Sequence, residues 1–87
     1  MASTKVPRRR PTVSSRRLGT RIRAFRKARG WSLEELAHRS EMHVTYLSSI
    51  EHGSRNPTLN ILLALAQALS VSLSDMVKGI EGGEREK

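Results

Sequence analysis

Apolar positions recur along most of the chain at helical intervals. Leu18, Ile22 and Phe25 stand at i, i+4 and i+7, one stripe on a helix read over residues 15–29. Gly30 is its stop, with Lys27 and Arg29 near the negative end of its dipole. A second helix opens in "WSLEELAHRS", where Ser32 caps the free amides and Glu35 reaches back as a capping box. Trp31 and Leu36 take the staple positions around that cap, and Glu34 and Glu35 complement the dipole. After only "SEM", a third helix follows in "MHVTYLSSIEHG", residues 42–53. The turn "HGSRNPT" leads to a fourth, "LNILLALAQALS", apolar nearly all round and predicted as the central core helix. Leu62, Leu65 and Leu69 are assigned to that core. The fifth, "LSDMV", has Ser72 and Asp75 as cap pair, with Val71 and Met76 in staple positions. No segment alternates as a strand does, and no internal repeat is evident, so the fold class predicted is all-α.

Five short helices, two of them joined by a turn of three or four residues, suggest a helix-turn-helix within a compact domain. Its boundaries are read at residues 14–78. Residues 1–13, with two prolines and a triple arginine, read as a flexible basic arm, and residues 79–87 as a disordered tail.

The third helix has too little charge for an ordinary solvated helix and too few apolar groups for a buried one. With Leu47 at zero and about 100° per residue, Ile50 falls near −60° and Glu51 near +40°. Leu47 and Ile50 therefore anchor it, while Thr45, Ser49 and His52 face the opposite side, flanked by Ser48 and Tyr46. Small hydrogen-bonding side chains let a helix approach another surface closely, as a major groove demands; a merely polar surface face is the alternative. Glu51 sits on the apolar side, where an unpaired carboxylate is costly. Arg26, bordering the stripe of the first helix, is the expected partner.

Charge sharpens the picture. The net charge is +8, yet eleven of the sixteen Lys and Arg lie in residues 1–29, which contain no Asp or Glu, and all eight acids come later. This one-sided distribution points to a polyanionic partner. The basic segment lacks the bulky apolar face that a membrane surface requires, and no apolar run approaches the roughly 20 residues needed to span a bilayer. A cytoplasmic protein is the expectation. For some of Arg16, Arg17, Arg21 and Arg23, phosphate contact is favoured over a solvated face, because that helix has no acidic compensation. Arg8, Arg9 and Arg10 enter a minor groove or act by undirected attraction; both readings stay open.

Catalytic and cofactor chemistry is not indicated. With no cysteine, and with His38, His43 and His52 in spacings that put no i,i+4 pair on one face, no metal site is expected. The serines of the third helix have no His–Asp constellation behind them, and no glycine loop suits a nucleotide. The chain is read as a non-enzyme without cofactor or small-molecule ligand.

Over residues 18–77 the sequence closely resembles the Cro/phage-repressor-like, or XRE, helix-turn-helix family. The markers are "RIRAFRKARG", "SLEELA", "YLSSIEHG", "RNPTL" and "ALAQALSVSLSDM". "TYLSSIEHGSRNPTL" is also similar to the controller proteins of restriction-modification systems. The resemblance implies a five-helix, lambda-repressor-like domain whose third helix, about residues 43–52, enters the major groove of double-stranded DNA. It implies Val44, Thr45, Tyr46, Ser48 and Ser49 at the base edges, and the Arg26–Glu51 pair as a family feature. Backbone contacts are expected from Arg16, Arg17, Arg21, Ser32 and His52, and backbone or groove contacts from Arg55 and Asn56 in the turn after the third helix. Two positions depart from the pattern: Leu33 stands where members commonly carry a glutamine that braces a phosphate or base contact. His43 stands where they often carry Ser, Thr or Asp, leaving that helix a weaker cap or one dependent on histidine protonation.

A single domain with a few base contacts discriminates poorly against a genome, so a homodimer on a palindrome-like operator is expected. Leu59, Leu63, Val71, Met76 and Val77 are its candidate interface. The expected function is a sequence-specific transcriptional regulator, controlled by concentration, since the nine residues after Lys78 offer no sensing domain. The alternative is an antitoxin or adaptor that acts through protein contacts of the fourth and fifth helices.

Overall fold

Helices start in this chain where a side-chain oxygen is available to the first turn. The computed structural model describes residues 12–81 and contains five helices: α1 Val13–Ala28, α2 Leu33–Arg39, α3 Val44–Glu51, α4 Leu59–Leu69 and α5 Leu73–Val77. Thr12, Ser32, Thr58 and Ser72 each accept a bond from the backbone N–H three residues on, satisfying one of the amides that a helix start leaves free. His43 precedes α3 and makes no side-chain cap bond.

Two details of punctuation differ from expectation. α1 starts at Val13, two residues before the reading from its apolar stripe, because Thr12 and Ser15 form a full capping box there. Ser32 caps α2, but Glu35 does not reach back. Its carboxylate takes a bond from Arg39 Nε at 2.6 Å, a charge-assisted contact one turn ahead that outcompetes a neutral amide. At the end of α1, Gly30 adopts φ +73 and its N–H donates to the Lys27 carbonyl, so the chain turns where only glycine does so without strain. Arg29 leaves its own helix and donates to the Leu69 carbonyl at the end of α4.

The core draws on every helix: Leu18 and Ile22 from α1, Leu36 and Ala37 from α2, Leu47 and Ile50 from α3, Leu65, Ala66 and Leu69 from α4, and Met76 from α5. Leu62, assigned to the core, is only half-buried. Met76, assigned to a dimer interface, is fully buried at 0% exposure and belongs to the core. Met76 is the buried residue of α5, so it joins that helix to the core. Between α2 and α3 the turn passes through Glu41 at φ +57, a left-handed conformation costly for a residue with a Cβ. α1 lies across the C-terminal end of α3. Gly19 makes this possible: a Cβ there would stand 2.4 Å from the carbonyl oxygens of Ile50 and Glu51.

Candidate nucleic-acid interface

The site is built on α3, which is bound to the scaffold along one side and open on the other. Leu47 and Ile50 are completely buried. Glu51 receives Arg26 Nε at 2.8 Å and Arg26 Nη2 at 2.9 Å, a two-pronged pair with side-chain exposures of 10% and 5%. The third arm of the guanidinium donates to the Trp31 carbonyl at 3.0 Å, so the buried charge is met on every side. The Glu51 bond raises the Arg26 pKa above its ordinary value, and the group stays cationic. Ser15, buried, donates to the Gly53 carbonyl at 2.8 Å just past the helix. Gly53, at φ +80, packs so close to Arg16 that an added Cβ would meet the Arg16 Cα at 2.9 Å. α3 is therefore held at both its last turn and its following loop.

The open side carries the residues singled out from the sequence. Thr45 and His52 are exposed, while Tyr46, Ser48 and Ser49 are half-buried. Ser49 Oγ donates back to the Thr45 carbonyl at 3.1 Å, and Ser54 Oγ donates to the Ser49 carbonyl at 3.2 Å. His52 Nδ1 lies 2.8 Å from the Ser48 carbonyl, to which it donates. Arg55 stacks over the Tyr46 ring at 5.1 Å. Val44 is half-buried and packs partly on the core. Ser32 and Asn56 are exposed, and the Ser32 hydroxyl oxygen accepts the Glu35 amide.

The structure does not gather all the expected cations at this face. Arg21 donates from both terminal nitrogens to the Asp75 and Lys78 carbonyls at 2.8 and 2.9 Å, and Arg17 donates to the Gly79 carbonyl at 3.2 Å. These bonds tie α1 to α5 and to the turn that follows it, so both side chains are engaged within the fold. Arg8, Arg9 and Arg10 lie outside the described residues. Of the interface candidates, Leu59 and Leu63 are the exposed large hydrophobics at 60% and 44%, and Val71 and Val77 are half-buried. Sequence reasoning missed Ser15 and Gly19, and saw Arg29 only at the dipole end of its own helix, not at the Leu69 carbonyl. A glycine within a helical pattern was the available signal for Gly19. Among the described residues no group of three or more His, Asp or Glu is placed to hold a metal ion. No described helix is long and apolar enough to cross a membrane.

A short helix, a tight turn and a second helix with an open polar face, braced by three others, define a helix-turn-helix domain. The chain belongs to the helix-turn-helix family, whose model matches residues 22–76. It is similar to the HTH-type transcriptional regulator DdrOP3 of Deinococcus deserti, 35% identical over 65 residues, 75% of this chain and 50% of that one. This chain thus spans about half the length of that relative. Among solved structures it resembles the restriction-modification controller protein C.AhdI from Aeromonas hydrophila. The TM-score is 0.73 and the identity 34%, covering 75% of this chain and 98% of that chain. It also resembles SinR, the master regulator for biofilm formation, in a crystal structure with DNA. There the TM-score is 0.68 and the identity 37%, over 70% of this chain and 98% of that one.

Proposed function

We propose that this chain is a sequence-specific DNA-binding transcriptional regulator that lays the open face of α3 in the major groove. The observation that carries this reading is the contrast between the two sides of α3. One side is pinned by buried leucine, isoleucine and an ion pair, and the other offers uncharged hydroxyls. The likeness to a DNA-bound regulator supports it. Thr45, Ser48 and Ser49 address base edges, with Val44 and Tyr46 beside them, while Arg16, Ser32, His52 and Asn56 supply backbone contacts and Arg55 reaches the groove from the turn beyond α3. In vitro selection from a random duplex pool should enrich a palindrome-like motif with half-sites about one DNA turn (roughly 34 Å) apart. No enrichment over random DNA would overturn the proposal. Thr45→Ala and Ser49→Ala should lower discrimination between sites more than affinity for random DNA.

The exposed Leu59 and Leu63 favour a protein contact as well. A homodimer through these residues, with Val71 and Val77 at its edge, is the proposed use, and regulation then follows protein concentration. Sedimentation of wild type and Leu59→Asp should give dimer and monomer respectively. A monomeric wild type that forms a stoichiometric complex with a different protein would favour the antitoxin or adaptor reading instead.

A further inference from the structure

The open face of α3 is rich in hydroxyls but has no forked donor of its own to match guanine. The major-groove edge of guanine presents two acceptors, O6 and N7, and a forked donor matches both at once, arginine most often. Thr45, Ser48 and Ser49 bring one hydroxyl each, Ser49 already donates to the Thr45 carbonyl, and Val44 brings no donor.

The missing fork comes from the turn beyond the helix. Arg55 lies with its guanidinium carbon 5.1 Å from the centre of the Tyr46 ring, within cation–π range. Tyr46 is half-buried and packs against the core, so the ring is a fixed platform. Arg55 is exposed and forms no ion pair with a described residue, whereas Arg17, Arg21 and Arg29 are committed to backbone carbonyls and Arg26 and Arg39 to glutamates. Stacking occupies one flat face of a guanidinium and leaves its N–H edge free, while restricting a long side chain before any ligand arrives. Placement matters most. Tyr46 is in the first turn of α3, and in a helix-turn-helix the N-terminal residues of the second helix contact the base edges. The stack therefore carries the Arg55 guanidinium from the far end of the helix back to the end that reaches the bases.

We infer that Arg55 reads a guanine from the platform of Tyr46, rather than neutralising a phosphate, and that Tyr46 is its positioning residue. This rests on the proposed placement of α3 in the major groove and names a specificity determinant within it. The test uses the full chain, as wild type, Arg55→Gln, Tyr46→Phe and Tyr46→Leu, in selection from random duplexes and in titrations at several salt concentrations. Wild type should select a motif containing a guanine whose preference Arg55→Gln reduces roughly 5- to 150-fold, with preferences elsewhere retained. Replacing that guanine by 7-deazaguanine should weaken wild type and leave Arg55→Gln unaffected. Tyr46→Phe should keep the guanine preference, whatever affinity it loses with its hydroxyl, and Tyr46→Leu should lose much of it with Arg55 intact. The inference is overturned if Arg55→Gln, an exposed substitution that leaves the core untouched, weakens all sequences alike, keeps every base preference and reduces the log–log salt slope by about 0.9. A wild type that selects no motif overturns the reading of α3 itself, an outcome distinguishable from the first.

Discussion

Arg26–Glu51 and Arg39–Glu35 are the same chemical pair in two surroundings. The first joins α1 to α3 across 25 positions of sequence, with both side chains nearly buried; the second spans one turn of α2, with side-chain exposures of 48% and 41%. Water screens the exposed pair, whose contribution is about 0.3–0.5 kcal/mol. The buried pair has lost its water, so each partner depends on the other. Removing one leaves a stranded charge, a cost of about 3–5 kcal/mol. Only the buried pair ties two distant elements together, so the position of α3 depends on it alone of the two. Arg39 has a separate use: its guanidinium lies 4.2 Å over the Trp31 ring, on the loop whose carbonyl holds Arg26.

Several substitutions break this contrast, beginning with the largest effect. Glu51→Ala should lower unfolding stability by about 3–5 kcal/mol in urea titration; a loss below about 1 kcal/mol would mean that the pair behaves like a surface one. Replacing both partners, Arg26→Met with Glu51→Leu, should recover most of that loss, because the cost lies in the unpaired charge. Gly19→Ala should cost about 1–3 kcal/mol, measured the same way, since its Cβ would collide with backbone carbonyls that cannot swing aside. The helix starts offer a finer comparison. Thr12→Ala should cost about 1 kcal/mol, whereas His43→Ser should gain up to about 1 kcal/mol by giving α3 the cap bond that its neighbours have. Glu35→Ala should change stability by less than about 1 kcal/mol, and thermal melts should show the difference fading in molar salt.

Much of the site was legible because its cues are local or nearly so. The stripe at Leu18 and Ile22, the caps at Ser32 and Ser72, and the stop at Gly30 each depend on residues within one or two turns. Glu51 announced its partner because a carboxylate on an apolar stripe requires a cation, and Arg26 borders the facing stripe. The misreadings share a different cause. Leu62 and Met76 are both apolar at helical spacing, and period alone does not say which neighbour covers which residue. Arg17 and Arg21 looked free because α1 contains no acid; their partners are the backbone carbonyls of Asp75, Lys78 and Gly79, in and just after α5 and more than fifty positions away. Glu35 had two courses open to it, and the arginine one turn ahead prevailed.

The sequence by itself determined five helices, most of their caps and stops, and the division of α3 into an anchored and an open face. These follow from backbone hydrogen bonding and a 3.6-residue period, which act over a few residues. The tertiary structure decided which cations remain available. It engaged Arg17, Arg21 and Arg29 with carbonyls in or just after α4 and α5, and brought Arg55 back over Tyr46. It also decided how closely α1 lies on α3, because a buried carbonyl must find a donor and a missing Cβ allows contact only where a second helix arrives.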